Sequence, residues 1–212
     1  MAESQRHGFE FEFEISRSNI FPGWIPTNKN YTESMVDIPA KYDSVLQIDT
    51  QIKTLHIGAD IAMGDARAFF LREKPLRLLL AEYFQESPTH KKIKAIKEVI
   101  FTEEHFKELK GSVLFTDVEN FHNSLLAFKE EGSHFRARIF HKEYRKKLIE
   151  DGHISIIKLA PKVDSKGQRR VQCAIPNKKY IVDKFGPFIE TEYRGINFDI
   201  SIESTRRKRN EK

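Results

Sequence analysis

The chain has a single cysteine, Cys173, among its 212 residues. A lone thiol excludes an internal disulfide and any zinc site built from several cysteines. No apolar run approaches the length needed to cross a bilayer, and the start, Met1-Ala2-Glu3-Ser4-Gln5-Arg6-His7, lacks the apolar stretch of a signal peptide. The eight histidines show no metal-ligand spacing. There is no internal repeat and no clear interdomain linker. These absences lead to an expectation of one cytoplasmic domain over residues 1–204, without a membrane partner, followed by a basic tail at 205–212.

Hydrophobic residues make up 39% of the chain and charged residues 32%, enough for a buried core beneath a heavily charged surface. The net charge of +5 is unevenly distributed. Residues 133–212 hold 20 Lys and Arg against 10 Asp and Glu, whereas residues 1–132 hold 16 against 21. An acidic front suits cations and a basic back suits phosphates, which is the polarity expected of a protein acting on nucleic acid.

The segment Lys41-Tyr42-Asp43-Ser44-Val45-Leu46-Gln47-Ile48-Asp49-Thr50-Gln51-Ile52-Lys53-Thr54 carries the sharpest chemical signal. Two residues apart on a strand means one face, so Gln51 and Lys53 project together while Ile52 points away from them. That pairing puts an oxygen ligand for a hard cation beside a fixed positive charge, as phosphodiester hydrolysis requires. In one unbroken strand Asp43 and Gln51 would stand about 26 Å apart. Both reach one cation only if the chain turns back near Leu46–Asp49, a stretch without Gly or Pro.

These residues resemble the active-site signature of the PD-(D/E)XK nuclease superfamily, in the variant with glutamine in place of the second acid. Gly8-Phe9-Glu10-Phe11-Glu12 is similar to the G-x-x-F-E pattern of the superfamily's first helix, and Gly64-Asp65-Ala66-Arg67-Ala68-Phe69-Phe70 fits its small restriction endonucleases. The resemblance implies a mixed central sheet flanked by helices, an α/β (α+β) fold with a β-rich basic carboxyl-terminal part. The catalytic core would lie mainly in residues 5–130 and DNA recognition mainly in 133–200. It further implies a Mg²⁺-dependent type II restriction endonuclease that cuts duplex DNA at a short palindromic site. A homodimer and a companion methyltransferase in a prokaryotic cytoplasm go with that activity. Asp43, Gln51 and Glu12 would hold the metal, and Lys53 would orient water and stabilise the charge developing on phosphorus. Asp37, in Val36-Asp37-Ile38-Pro39, is the rival acid; the reading favours Asp43. A repair or structure-specific nuclease and a non-catalytic DNA-binding module are the alternatives.

For DNA reading, the sequence offers Lys158, Lys162, Lys166, Gln168, Arg169, Arg170 and Gln172 around a hairpin tip at Lys166-Gly167. Arg136, Arg138, Lys142, Arg145, Lys146 and Lys147 suit contact with the phosphate backbone. Met35 and Trp24 read as core, and Asp65 as a helix cap. Helices are expected around Phe9–Phe13 (by resemblance), after Asp65, over about Lys91–Ile100, from Thr102 to Gly111, and over about Thr116–Glu130. Strands are expected within Met35–Ile57, Phe135–Phe140, Ile154–Leu159 and Arg170–Ile175.

Overall fold

The computed structural model describes residues 3–18, 20–26, 35–87, 90–130, 132–163, 168–176, 189–190 and 201–203. Helix α1 (Glu3–Arg17) leads through a 3-10 turn (Ala40–Tyr42) to β1 (Asp49–His56), β2 (Ile61–Asp65) and α2 (Ala66–Leu71). β3 (Leu76–Gln85) and β4 (His90–Phe101) follow, then α3 (Glu103–Lys110), α4 (Phe115–Leu125) and α5 (Ser133–Glu150). β5 (Lys158–Val163), β6 (Arg169–Ile175), β7 (Ile189–Glu190) and β8 (Ser201–Glu203) complete the order. The fold is α+β. No helix among the described residues is long and apolar enough to cross a membrane.

The larger sheet runs β1-β3-β4-β7, with β8 also paired to β4. β1 and β3 are parallel and the other pairs antiparallel, so the sheet is mixed. The smaller sheet, β2-β6-β5, is antiparallel throughout. β3 is buried along its first seven residues because both of its faces are covered. Leu76, Leu78 and Leu80 join the main core shared with the smaller sheet and α2–α5, while Leu79 and Ala81 face Phe11 and Ile15 of α1. Burial on both faces also explains the spacing of Leu76, Leu79, Leu80 and Tyr83, which imitates a helical stripe in sequence.

Two expected elements change type. Residues 91–100 form β4, not a helix. The register slips between Glu82/Tyr83 and Ala95/Ile93, leaving Lys94 as the extra residue of a bulge. Ile93 and Ile96 therefore reach the same core cluster although they stand three positions apart, and that interval reads as helical. Conversely, Phe135–Phe140 belongs to α5. Alternation would bury Phe135, Ala137 and Ile139 together, yet only Ala137 is buried and both larger residues are exposed. The inward face is instead set at helical spacing by Ala137, Tyr144 and Leu148.

Other boundaries follow local chemistry. Asp65 caps α2 by accepting from Arg67 N–H at 2.9 Å, and Thr102 caps α3. α4 stops at Leu125, five residues before the expected end. Gly111 ends α3 with φ +60°; a Cβ there would stand 2.2 Å from the Ile154 carbonyl oxygen. That oxygen accepts from Ser112 N–H at 2.9 Å, clamping residues 152–157 against the end of α3.

Candidate active site

β1 is an edge strand, and a short segment around Asp37 and Ile38 docks on its outer side. Thr50 exchanges hydrogen bonds with Ile38 in both directions, 2.8 and 2.9 Å, and its carbonyl also accepts from Asp37 N–H at 3.0 Å. Ile52 N–H points the same way two residues on. The Asp37 carboxylate accepts it at 2.7 Å. Asp49 fastens the other end, accepting from Ala40 N–H at 2.9 Å and from Arg72 at 3.0 Å. Asp37 is thereby fixed beside the residue that separates Gln51 from Lys53.

α1 brings the second carboxylate. Phe11 and Ile15 are fully buried against Ile52 and Leu79, and the next residue after Phe11, Glu12, is part-buried within the electrostatic reach of both Asp37 and Lys53. Burial, reinforced by the Asp37 charge, pushes Glu12 up to about 7, with Lys53 opposing. Burial likewise raises Asp37, against Lys53 and the Ile52 N–H. Gln51 is 2% exposed, and its side-chain oxygen has no hydrogen-bond partner among the described residues.

Two desolvated carboxylates and a lysine thus lie within electrostatic reach of one another at the edge of β1, and the unsatisfied Gln51 amide oxygen shares the strand face of Lys53. Oxygen donors of this kind suit a hard divalent cation, whose charge would relieve both the carboxylate repulsion and the orphaned amide. Among the described residues no three His, Cys, Asp or Glu side chains gather as a metal site. The donor set here depends on glutamine instead. No family model, curated protein or solved structure matches the chain.

Asp43 sits elsewhere. Its carboxylate accepts from Val45 and Leu46 N–H at 3.1 and 3.0 Å, and from Arg77 at 2.7 Å. Arg77 pairs in register with Thr50, so it shares the face of Thr50 and lies opposite Gln51 and Lys53. Asp43 is the cap of the reversing turn and the counter-ion of a buried arginine. The turn anticipated near Leu46–Asp49 is closed by this carboxylate, with Gln47 taking φ +53° where a glycine is usual. Asp43, the acid preferred from sequence, is thus engaged by Arg77 and the turn, whereas the rival acid Asp37 lies within electrostatic reach of Glu12 and Lys53.

The basic candidates separate by strand face. Val171, Cys173 and Ile175 of β6 point into the core, leaving Arg170 and Gln172 outward. Lys162 pairs in register with Arg170, and Lys158 with Ala174, so all four side chains share the outer face of the smaller sheet. Lys158 there pairs with Asp60 at 2.7 Å. Arg169 points the other way, donating to the Phe128 carbonyl and to Ser133 Oγ at 3.3 Å. Its guanidinium joins β6 to the start of α5, which removes Arg169 from the surface set. Lys162 and Gln168 are exposed, as is Arg138 on α5; Arg136 is paired with Glu130. Lys166 and the 205–212 tail lie outside the described residues. Met35 and Trp24 are buried, in keeping with a core role.

A pH consequence follows from the raised carboxylates. The folded chain holds its Glu12 proton up to about pH 7, whereas an unfolded chain releases it near the ordinary value of 4.5. Between these limits the native state binds more protons, so stability falls as pH rises. Because a cation takes only the deprotonated carboxylates, Mg²⁺ should raise the melting temperature more at pH 8 than at pH 5. Thermal melts with and without Mg²⁺ at both values check this; equal shifts, or none, would contradict it.

Proposed function

We propose that this chain is a metal-dependent endonuclease of the type II restriction kind, hydrolysing both strands of duplex DNA at a short palindromic sequence. The observation that carries the reading is the grouping of Glu12, Asp37 and Lys53 at one strand edge, two residues along β1 from Gln51, with Glu12 and Asp37 both driven towards their protonated forms by burial. Such perturbed acids beside a lysine are typical of catalytic centres. The match between this cluster and the glutamine-bearing nuclease signature supports the assignment. So does the mixed sheet flanked by helices.

Asp37, Glu12 and the Gln51 side-chain oxygen are the groups that would hold Mg²⁺. When bound there, Mg²⁺ supplies Lewis acidity towards a phosphate oxygen and offsets negative charge. Asp37, bolted to Ile52 N–H, keeps its second carboxylate oxygen directed by the strand rather than by a mobile rotamer. Gln51 is neutral, so the donor set carries two negative charges, a number suited to one cation more than to two. Lys53 donates from the same face of β1. It orients the attacking water and stabilises charge as it builds on the phosphoryl oxygens.

Lys162, Arg170 and Gln172 on the outer face of the smaller sheet supply donors for base edges or phosphates. Arg138 on α5 supplies charge for the backbone. A two-fold site calls for a two-fold protein, hence a homodimer. A companion methyltransferase protecting the host DNA, in a prokaryotic cytoplasm, completes the reading.

The test is incubation of a sequenced plasmid with the protein and Mg²⁺, with a chelator control. Discrete fragments with mapped, recurrent ends support the restriction reading. Cleavage without recurrent ends replaces it with a repair or structure-specific nuclease. Salt-dependent binding that chelator leaves unchanged, without cleavage, replaces it with a DNA-binding module.

A further inference from the structure

A half-open cavity of about 120 Å³ lies among α4, α5, β5 and residues 153–157, and no residue of the Glu12–Lys53 cluster lines it. Its wall is aromatic. Phe121 stacks on Tyr144 with centroids 4.8 Å apart and planes at 12°, and on His141 at 5.5 Å and 19°. Leu148 adds a buried aliphatic surface.

The polar atoms of this wall are already engaged. Tyr144 hydroxyl donates to the Asp117 carbonyl at 2.7 Å, and His141 Nε2 bonds the Leu159 carbonyl at 2.6 Å. Burial lowers the pKa of His141, favouring a neutral ring that presents its face. His153 differs. Its Nδ1 is held by the Asp117 carboxylate at 2.7 Å, which fixes the ring, and its Nε2 has no protein partner among the described residues. Arg145 also lines the cavity, is exposed, and pairs with no carboxylate of the described residues. No Asp or Glu lines the space.

We propose that this cavity is a binding site for a single-ring aromatic carboxylate. An apolar cavity of roughly 150 Å³ accepts a benzene-sized molecule, so a single ring is the right scale. The ring lies against Tyr144 and Leu148, where offset or edge contact with the aromatic wall favours it over an aliphatic ring. The carboxylate accepts from the exposed Arg145 guanidinium as a charge-assisted hydrogen bond, with the His153 ring beside it in the lining. The site is independent of DNA cleavage, so its fate and that of the nuclease reading are separable.

Isothermal titration of the full chain with benzoate and with benzamide, its neutral isostere, tests the proposal. Benzoate should bind with a dissociation constant of about 1 mM or tighter, and benzamide about tenfold more weakly. Arg145→Gln, at an exposed helix position, should weaken benzoate about tenfold and leave benzamide unchanged. Leu148→Phe should abolish binding of both by filling the space; Arg145→Gln decides the matter even if that variant does not fold. Absence of saturable benzoate binding by about 10 mM, equal affinities for the two probes, or an unchanged benzoate affinity in Arg145→Gln would overturn the assignment.

Discussion

Replacing Lys53 with alanine is expected to slow Mg²⁺-dependent cleavage of duplex DNA by between about a hundredfold and a thousandfold, the usual effect of removing one fixed donor from developing charge. Lys53 is part-buried at the edge of β1 and its loss leaves Ile52, which carries the core contact, in place. Folding should therefore survive, and single-turnover rates measure the loss directly. Asp37→Ala should cost at least as much. Asp43→Asn separates the two candidate acids: assayed well below its melting temperature, it should cleave at close to the unmodified rate. A variant series in which Asp43→Asn is inactive while folded, and Asp37→Ala active, would reverse the assignment.

The second large effect concerns stability. Arg77 is 6% exposed, donates to Asp43 at 2.7 Å, approaches Glu98 at 3.4 Å, and lies over the Phe21 ring at 5.5 Å. Removing one member of a buried ion pair leaves the others charged without compensation, which costs about 3–5 kcal/mol. Arg77→Leu should accordingly lower the melting temperature by about 10 °C, using the roughly 2–4 °C per kcal/mol of a chain this size. Adding Asp43→Asn should recover part of the loss, because it removes a stranded charge. A double variant less stable than Arg77→Leu by the full effect of Asp43→Asn would show that the two side chains act independently.

Much of the candidate site was legible because strand periodicity and hydrogen-bonding chemistry are local. Gln51 and Lys53 needed only a period of two, Asp65 and Thr102 only the preference of short oxygen side chains for unpaired helix N–H groups, and Gly111 only its positive φ. What was not legible depended on partners far along the chain. Nothing near Asp43 announces Arg77, 34 residues away, so a structural carboxylate and a site carboxylate look alike in sequence. The bulge at Lys94 is set by pairing with β3, and it disguised a strand as a helix. In α5, exposed Phe135 and Ile139 imitate an alternating strand because no core contact fixes them. Arg169 looked like a base reader for the same reason that Asp43 looked like a ligand: its part-buried destination, the Phe128 carbonyl, lies 41 residues away.

The hydrogen bond from Ile52 N–H to Asp37 has a bearing on how that acid can be altered. Any shortened side chain at this position removes a negative charge and also strips a main-chain donor of its acceptor. Asparagine retains an oxygen for that donor while discarding the charge, so comparing Asn with Ala divides electrostatics from scaffolding. It also means that the acid is preorganised: whatever binds beside it finds a group already immobilised by the backbone, with little rotational freedom left to surrender.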